Sequence, residues 1–111
     1  MMKQVVKVAG VTMNLNGQEY VVPPLSLGVL DQIKDRIGNF DKAPFAEQVE
    51  LTISVAHAAL KRNYPDLTRE EVGDMLDVAN MMEVFGAVMD VSGLKRKEQE
   101  AAQAGEAAAA G

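Results

Sequence analysis

The stretch from Asn63 to Leu94, NYPDLTREEVGDMLDVANMMEVFGAVMDVSGL, decides the fold because it contains the boundaries of two short helices. Thr68 is followed three residues later by Glu71, the spacing of a capping box that starts a helix. A second helix start is predicted at Asn80. The stop is predicted at Gly93, since glycine readily adopts the left-handed conformation that ends helices. The sequence therefore predicts two capped helices in this part of the chain.

A β-hairpin is predicted ahead of the helices. Val11–Leu15 and Gln18–Val22 are separated by Asn16-Gly17, and both of these residues tolerate the positive φ that a type I′ turn requires. Pro23-Pro24 should end the second strand, because proline has no amide to donate to a ladder. An isolated hairpin is marginal in water, so we expect its apolar face to lie on the helices or on another chain.

Two longer helices are predicted between the hairpin and the capped pair. The first is expected to start at the capping residue Ser26 and to close at Gly38-Asn39. The second should begin near Asp41 to Pro44 and run to about Asn63. Apolar residues recur in this second helix at helical spacing: Phe45, Val49, Ile53, Ala56 and Leu60. We expect it to be the spine against which the other helices pack.

The fold class that follows is mainly α, a small bundle of about four helices with an N-terminal β-hairpin. The chain has 111 residues, enough for one core of ordinary size. Residues 1–24 form the predicted hairpin segment, residues 25–94 the helical domain and residues 95–111 an Ala/Gly-rich tail. The tail carries almost no large apolar side chain, so it is predicted to be disordered.

Composition narrows the function classes. The net charge of −5 and the pI of about 4.8 argue against a nucleic-acid surface, which is usually basic. The chain has no cysteine, which excludes disulfides and thiolate metal sites. It has neither an N-terminal signal sequence nor a run near the roughly 18 apolar residues that a membrane span needs. We therefore expect a soluble, intracellular protein that binds neither nucleic acid nor membrane.

No catalytic, cofactor or metal site is predicted. The single histidine, His57, falls on the polar side of the long helix near Ser54, where one helical face cannot supply a base, a nucleophile and an oxyanion hole together. The acidic residues of the capped helices are explained by the helix dipole and by solvation. Their spacing is not that of a calcium loop; they are Glu70, Glu71, Asp74 and Asp77.

A set of methionine and phenylalanine side chains is the best candidate for partner binding. At helical spacing such residues are usually core, but Met82 faces away from the row formed by Met81 and Phe85. Exposed methionines suit surfaces that re-pack around more than one partner shape. The predicted partner-binding residues are Met75, Met81, Met82, Phe85 and Met89.

Several runs resemble the tail assembly chaperones of long-tailed bacteriophages and prophages. They are ALKRNYPDLT at Ala59–Thr68, EVGDMLD at Glu71–Asp77, VFGAVM at Val84–Met89 and the Ser92-Gly93 stop. The Pro24–Leu27 entry to the first helix is similar as well. The resemblance covers roughly residues 10–94.

This resemblance implies a non-enzymatic helical protein in the cytoplasm of the bacterial host. Such a chaperone binds the tape measure protein and keeps it soluble until the tail tube polymerises around it. It is not expected in the mature virion. Further contacts with the tail tube protein or with copies of itself are compatible with this role, and the family has no catalytic residues to carry over.

Two other functions remain open. The chain could be a small structural tail or connector component, with the hairpin adding strands to a ring of subunits. The two short adjacent helices could also belong to a helix-turn-helix DNA-binding regulator. The second of these helices, from Asn80 to Val91, contains no lysine or arginine, which makes it a poor recognition helix.

Overall fold

The structure is a computed structural model, and it describes residues 8–94. This part of the chain forms a two-stranded antiparallel hairpin followed by four α-helices, so the predicted fold class is confirmed. The strands are β1 (Val11–Leu15) and β2 (Gln18–Val22), and the helices are α1 (Leu27–Gly38), α2 (Phe45–Leu60), α3 (Arg69–Met75) and α4 (Met81–Val91). A short 3-10 helix, Phe40–Lys42, links α1 to α2. The disorder predicted for residues 95–111 lies outside the described residues.

The hairpin has the predicted register and turn. Leu15 pairs with Gln18, and the two turn residues Asn16 and Gly17 have φ values of 56° and 83°, as a type I′ turn requires. Leu15 and Val22 are both buried in the core that the helices form. The apolar face of the hairpin thus packs on the helices of its own chain.

The helix α2 is the spine of the bundle, as the sequence predicts. It contacts α1, α3, α4 and β2, and its residues Val55 and Ala56 are completely buried. Burial begins only at Leu51, and the apolar stripe stays partly open over the first turns of α2, where Phe45 is 57% exposed. The α2 surface that begins with Phe45 is therefore not covered by the described part of the chain.

The helix α2 ends at Leu60, three residues before the predicted end at about Asn63. The next residues form a tighter turn in which the Asn63 amide bonds the Leu60 carbonyl at 3.0 Å. This turn directs the Asn63 side chain to the backbone of Val8, where it accepts from N–H at 2.8 Å and donates to C=O at 2.9 Å. The same amide donates to the Val21 carbonyl at 3.3 Å. The end of α2 thus fastens the N-terminal strand region to the helices.

The helix α3 starts as predicted. The Thr68 hydroxyl accepts from the Glu71 amide at 3.0 Å, and the Glu71 carboxylate accepts from the Thr68 amide at 2.9 Å, which completes the capping box. Val72, Met75, Leu76 and Ala79 recur at helical spacing, which predicts a helix that continues to Ala79, but α3 ends at Met75. Leu76 is already extended, with a φ of −107° and a ψ of 150°.

The helix α4 begins and ends at the predicted positions, but the prediction that the Asn80 side chain caps it is wrong. The Asn80 side chain accepts no hydrogen bond from an α4 amide. Its Oδ1 instead accepts one from the Asp77 amide at 2.8 Å. At the other end, Gly93 has a φ of 83° and its amide bonds the Asp90 carbonyl at 3.0 Å. The Phe85 ring of α4 stacks on Phe40 with centroids 4.0 Å apart, which joins α4 to the link between α1 and α2.

Candidate functional site

Four of the five predicted partner-binding residues are buried. They line the face of α3 and α4 that packs on the core: Met75, Met81, Phe85 and Met89. The burial of the three α4 residues follows from helical spacing, because they share one face with Val84 and Val88. Met75 lies on α3, where it shares a buried face with Val72. In this structure the four side chains pack within the chain itself. Their contact with a partner stays a prediction.

The fifth residue, Met82, is 56% exposed on the first turn of α4, as its position off the buried row predicts. Val78, which precedes it in the turn between α3 and α4, is 73% exposed. The turn is held by Asp77 and Asn80, since each side chain accepts a 2.8 Å hydrogen bond from the backbone amide of the other residue. These bonds fix the turn in which Val78 points two apolar methyl groups into solvent.

An apolar groove lies beside this turn, between α2 and α3. We call it the α2–α3 groove; it has a volume of about 150 Å³. Its lining consists of Val49, Thr52 and Ile53 from α2, Gly73 from α3 and Leu76, Asp77, Val78 and Met81 from the turn and the start of α4. The Thr52 hydroxyl donates to the Gln48 carbonyl at 2.7 Å, so its polar atom is already satisfied within α2. Asp77 is the charged residue of the lining.

The groove continues the open apolar stripe of α2. Phe45, Val49 and Ile53 are spaced by four residues and therefore share one helix face. At 1.5 Å per residue, this row is about 12 Å long. Val49, Ile53 and Val78 line the groove. Phe45 lies one turn before Val49 on the same face of α2, and Met82 follows the groove residue Met81. We call these five residues the docking surface; they are Phe45, Val49, Ile53, Val78 and Met82.

The flank of the docking surface is acidic. From Glu70 to Leu94 the chain has no lysine or arginine. All its carboxylates in that stretch are exposed. Five lie on α3, in the turn after it or on the first turn of α4, and they are Glu70, Glu71, Asp74, Asp77 and Glu83; the sixth, Asp90, lies at the far end of α4. An apolar surface with such a border attracts positively charged partners and repels negatively charged ones.

His57 and Ser54 do not form a nucleophile and base pair. The His57 Nε2 lies 2.9 Å from the Leu67 carbonyl, to which it must donate, because a carbonyl oxygen only accepts. The Ser54 hydroxyl accepts from the Arg69 guanidinium at 3.2 Å. His57 is partly buried, and both residues connect α2 to the start of α3.

Within residues 8–94, no three histidine or carboxylate side chains are grouped in a way that could hold a metal ion. No helix of this described part is long and apolar enough to cross a membrane. Comparison of the chain with protein-family models, with curated proteins and with solved structures gave no match.

The sequence predicts the exposure of Met82, but it predicts neither the groove nor the exposure of Val78. The one local signal for the groove is Gly73, a glycine in the middle of a helix where no turn requires it. The remaining lining comes from three separate elements, which spacing along the sequence does not bring together. The exposure of Val78 depends on where α3 ends, and the sequence predicts that end too late.

Proposed function

We propose that this chain is a phage tail assembly chaperone, which binds the tape measure protein in the cytoplasm of the bacterial host and keeps it soluble during tail tube assembly. The resemblance of its helix-boundary runs to that family supports the proposal. Binding would take the form of reversible contact between helix surfaces, with no covalent bond made or broken. The chaperone would leave before the virion is complete.

The observation that carries the proposal is the docking surface. Val78 and Met82 are large apolar side chains exposed on adjacent turns, next to a groove whose lining is almost entirely apolar. Exposed apolar patches with a polar border are typical of protein interaction sites. A tape measure protein is a long helical chain with apolar stripes, and a methionine-bearing surface adapts to stripes of varied sequence. The net charge of −5 would keep crowded copies of the chaperone soluble.

A structural tail or connector component is the second candidate, and the hairpin favours it. The outer edge of β2 is covered, since the Val21 amide donates to the Tyr64 hydroxyl at 2.8 Å and the Val21 carbonyl accepts from Asn63. Within the described part of the chain, β1 pairs with β2 alone. Its other edge has the geometry for strand addition by a tail tube protein or by a second copy.

The helix-turn-helix alternative has no comparable support. The α4 surface carries Glu83 and Asp90 and no basic residue, so it would repel the phosphates that a recognition helix must approach. Salt-sensitive retention on DNA would be the observation that revives this alternative.

Co-expression tests the proposal directly. The tape measure protein from the same gene cluster is produced in a bacterial host with and without this chain, and its soluble fraction is measured. We expect it to be soluble and to co-purify with this chain only when both are made. Equal solubility in both cases would contradict the proposal. A stoichiometric amount of this chain in purified virions would favour the structural component instead.

A further inference from the structure

The α2–α3 groove has properties that define the chemistry of its partner. We propose that it binds an amphipathic helix bearing lysine or arginine beside its apolar stripe, and that one large apolar side chain of that helix enters the groove next to Gly73. This inference rests on the proposed function and deepens it, because it states which segments of a partner the docking surface accepts.

The size of the groove sets the apolar part of the partner. A volume of about 150 Å³ matches a protein cavity that accommodates benzene, so the groove has room for one leucine or phenylalanine side chain. The row Phe45, Val49 and Ile53 extends the apolar surface over about 12 Å, the length of two helical turns. A helix with apolar residues at positions i, i+3 or i+4, and i+7 matches that length.

Gly73 provides the room for the incoming side chain. Gly73 does not have a positive φ, unlike Gly17 and Gly93. Its backbone conformation is therefore one that any residue can adopt. A Cβ at this position would meet only the Ile53 Cδ1, at 3.8 Å, which is an ordinary contact. Glycine weakens a helix interior, and the packing of α3 gives no reason for it. Its missing side chain is what leaves this part of the groove open.

The charges around the groove set the polar part of the partner. Asp77 lines the groove, and the exposed Glu70 and Asp74 lie on α3 on either side of Gly73. Glu83 follows Met82 on the first turn of α4, and the chain has no lysine or arginine from Glu70 to Leu94. Lysine or arginine on the flanks of a bound helix would lie against these carboxylates, whereas glutamate would be repelled. The occupant is therefore a basic helix rather than an acidic or neutral one.

Two synthetic peptides test the charge requirement on the full chain. Each has 18 residues, with leucine at every third or fourth position and alanine elsewhere; one has lysine and the other glutamate at the same four flanking positions. Fluorescence anisotropy of the labelled peptides should detect binding of the lysine peptide, weaker at high salt, and none of the glutamate peptide. Equal binding of the two peptides, or no binding of the lysine peptide, would overturn the inference.

The variant Gly73→Leu tests the groove itself. Leucine fills the groove from within and has a higher helix propensity, so we expect binding to weaken by about tenfold or more while the melting temperature stays unchanged or rises by roughly 2 to 8 °C. The matched control is Gly28→Leu in α1, where no atom lies within 4 Å of an added Cβ. It should bind the lysine peptide like the wild type.

Unchanged binding by Gly73→Leu would mean that charge alone attracts the peptide, and the groove inference would be wrong. Should Gly73→Leu prove less stable than the wild type, Gly73→Ala replaces it, with a smaller loss of binding expected.

The co-expression assay separates this inference from the proposed function. If no lysine peptide binds, yet the tape measure protein still needs this chain to be soluble, the inference fails and the function stands. If peptide binding depends on Gly73 as expected, yet the tape measure protein is soluble without this chain, the groove stands and the chaperone function fails.

Discussion

Asp77 and Asn80 cap each other: the Asn80 amide donates to the Asp77 carboxylate and the Asp77 amide donates to the Asn80 side-chain oxygen, both at 2.8 Å. This reciprocal pair takes the Asn80 side chain away from the start of α4, where it would otherwise cap the helix. It thereby ends α3 early and exposes Val78 at the border of the α2–α3 groove. A local exchange of hydrogen bonds thus shapes the docking surface.

The first prediction concerns this pair. Replacing Asp77 with alanine removes the acceptor of the Asn80 amide and should lower the free energy of unfolding by about 1 kcal/mol. Urea denaturation followed by circular dichroism measures the change. Asp77→Asn keeps an acceptor oxygen and should lose less than half as much. A loss of the same size in both variants would mean that the charge, and not the hydrogen bond, stabilises the turn.

The second prediction concerns Asn63, which is only 2% exposed and bonds Val8 and Val21 through its side chain. Asn63→Ala leaves part-buried backbone groups of Val8 and Val21 without these partners, so the free energy of unfolding should fall by about 1 to 3 kcal/mol. Thermal melting checks this. The neighbouring exposed residue Lys61 is the control, because Lys61→Ala should change stability by less than about 0.5 kcal/mol. An equal effect of the two variants would contradict the tether between α2 and the strand region.

The third prediction concerns Gly10, which has no room for a side chain. A Cβ there would overlap the Val22 carbonyl oxygen, so Gly10→Ala must push the two backbone segments apart. We expect a loss of stability of about 1 to 3 kcal/mol. Gly28→Ala, in an open helical position, should instead leave stability unchanged or raise it by about 0.5 to 1 kcal/mol. Gly10→Ala with wild-type stability would show that the two segments do not approach so closely in solution.

The fourth prediction separates binding from folding on the docking surface. The double variant Val78→Ser and Met82→Ser removes two exposed apolar side chains beside the groove. Because both are already in solvent, the free energy of unfolding should change by no more than about 0.5 kcal/mol per site. The soluble yield of co-expressed tape measure protein should nevertheless fall to that obtained without this chain.

Leu27 offers a control for this experiment, since it is 82% exposed on α1 and outside the docking surface. Leu27→Ser should leave the soluble yield of the tape measure protein unchanged. If Leu27→Ser lowered the yield as much as the double variant, exposed apolar residues in general, and not this surface, would be responsible.

Local signals in the sequence predicted the features that local bonds determine. The Thr68 and Glu71 capping box, the Asn16-Gly17 turn and the Gly93 stop each depend on residues no more than a few positions apart. The tether that follows the end of α2 could not be predicted in this way, because it joins Asn63 to Val8, 55 residues away. The sequence pattern of α2 is equally compatible with a helix that continues through Asn63.

The candidate site was predictable only in part, for the same reason. The exposure of Met82 follows from helical periodicity within one element. The groove combines residues of α2, of α3, of the turn after α3 and of α4, and its opening depends on how these elements pack together. Asn80 shows a further limit of prediction from sequence. Its side chain can cap α4 or accept from the Asp77 amide, and the sequence does not decide between these two hydrogen bonds.

The two ends of α4 serve different neighbours. Met81 forms part of the groove wall, while the Ser92 hydroxyl at the far end accepts a hydrogen bond from the Leu25 amide at 2.9 Å. Eleven helical residues separate these ends by about 16 Å. A purification handle or a sensor-chip linkage joined directly to Leu94, in place of residues 95–111, would therefore leave from the side remote from the groove. Molecules immobilised in that orientation would present the groove to the solution, so captured helices could be measured without obstruction by the support.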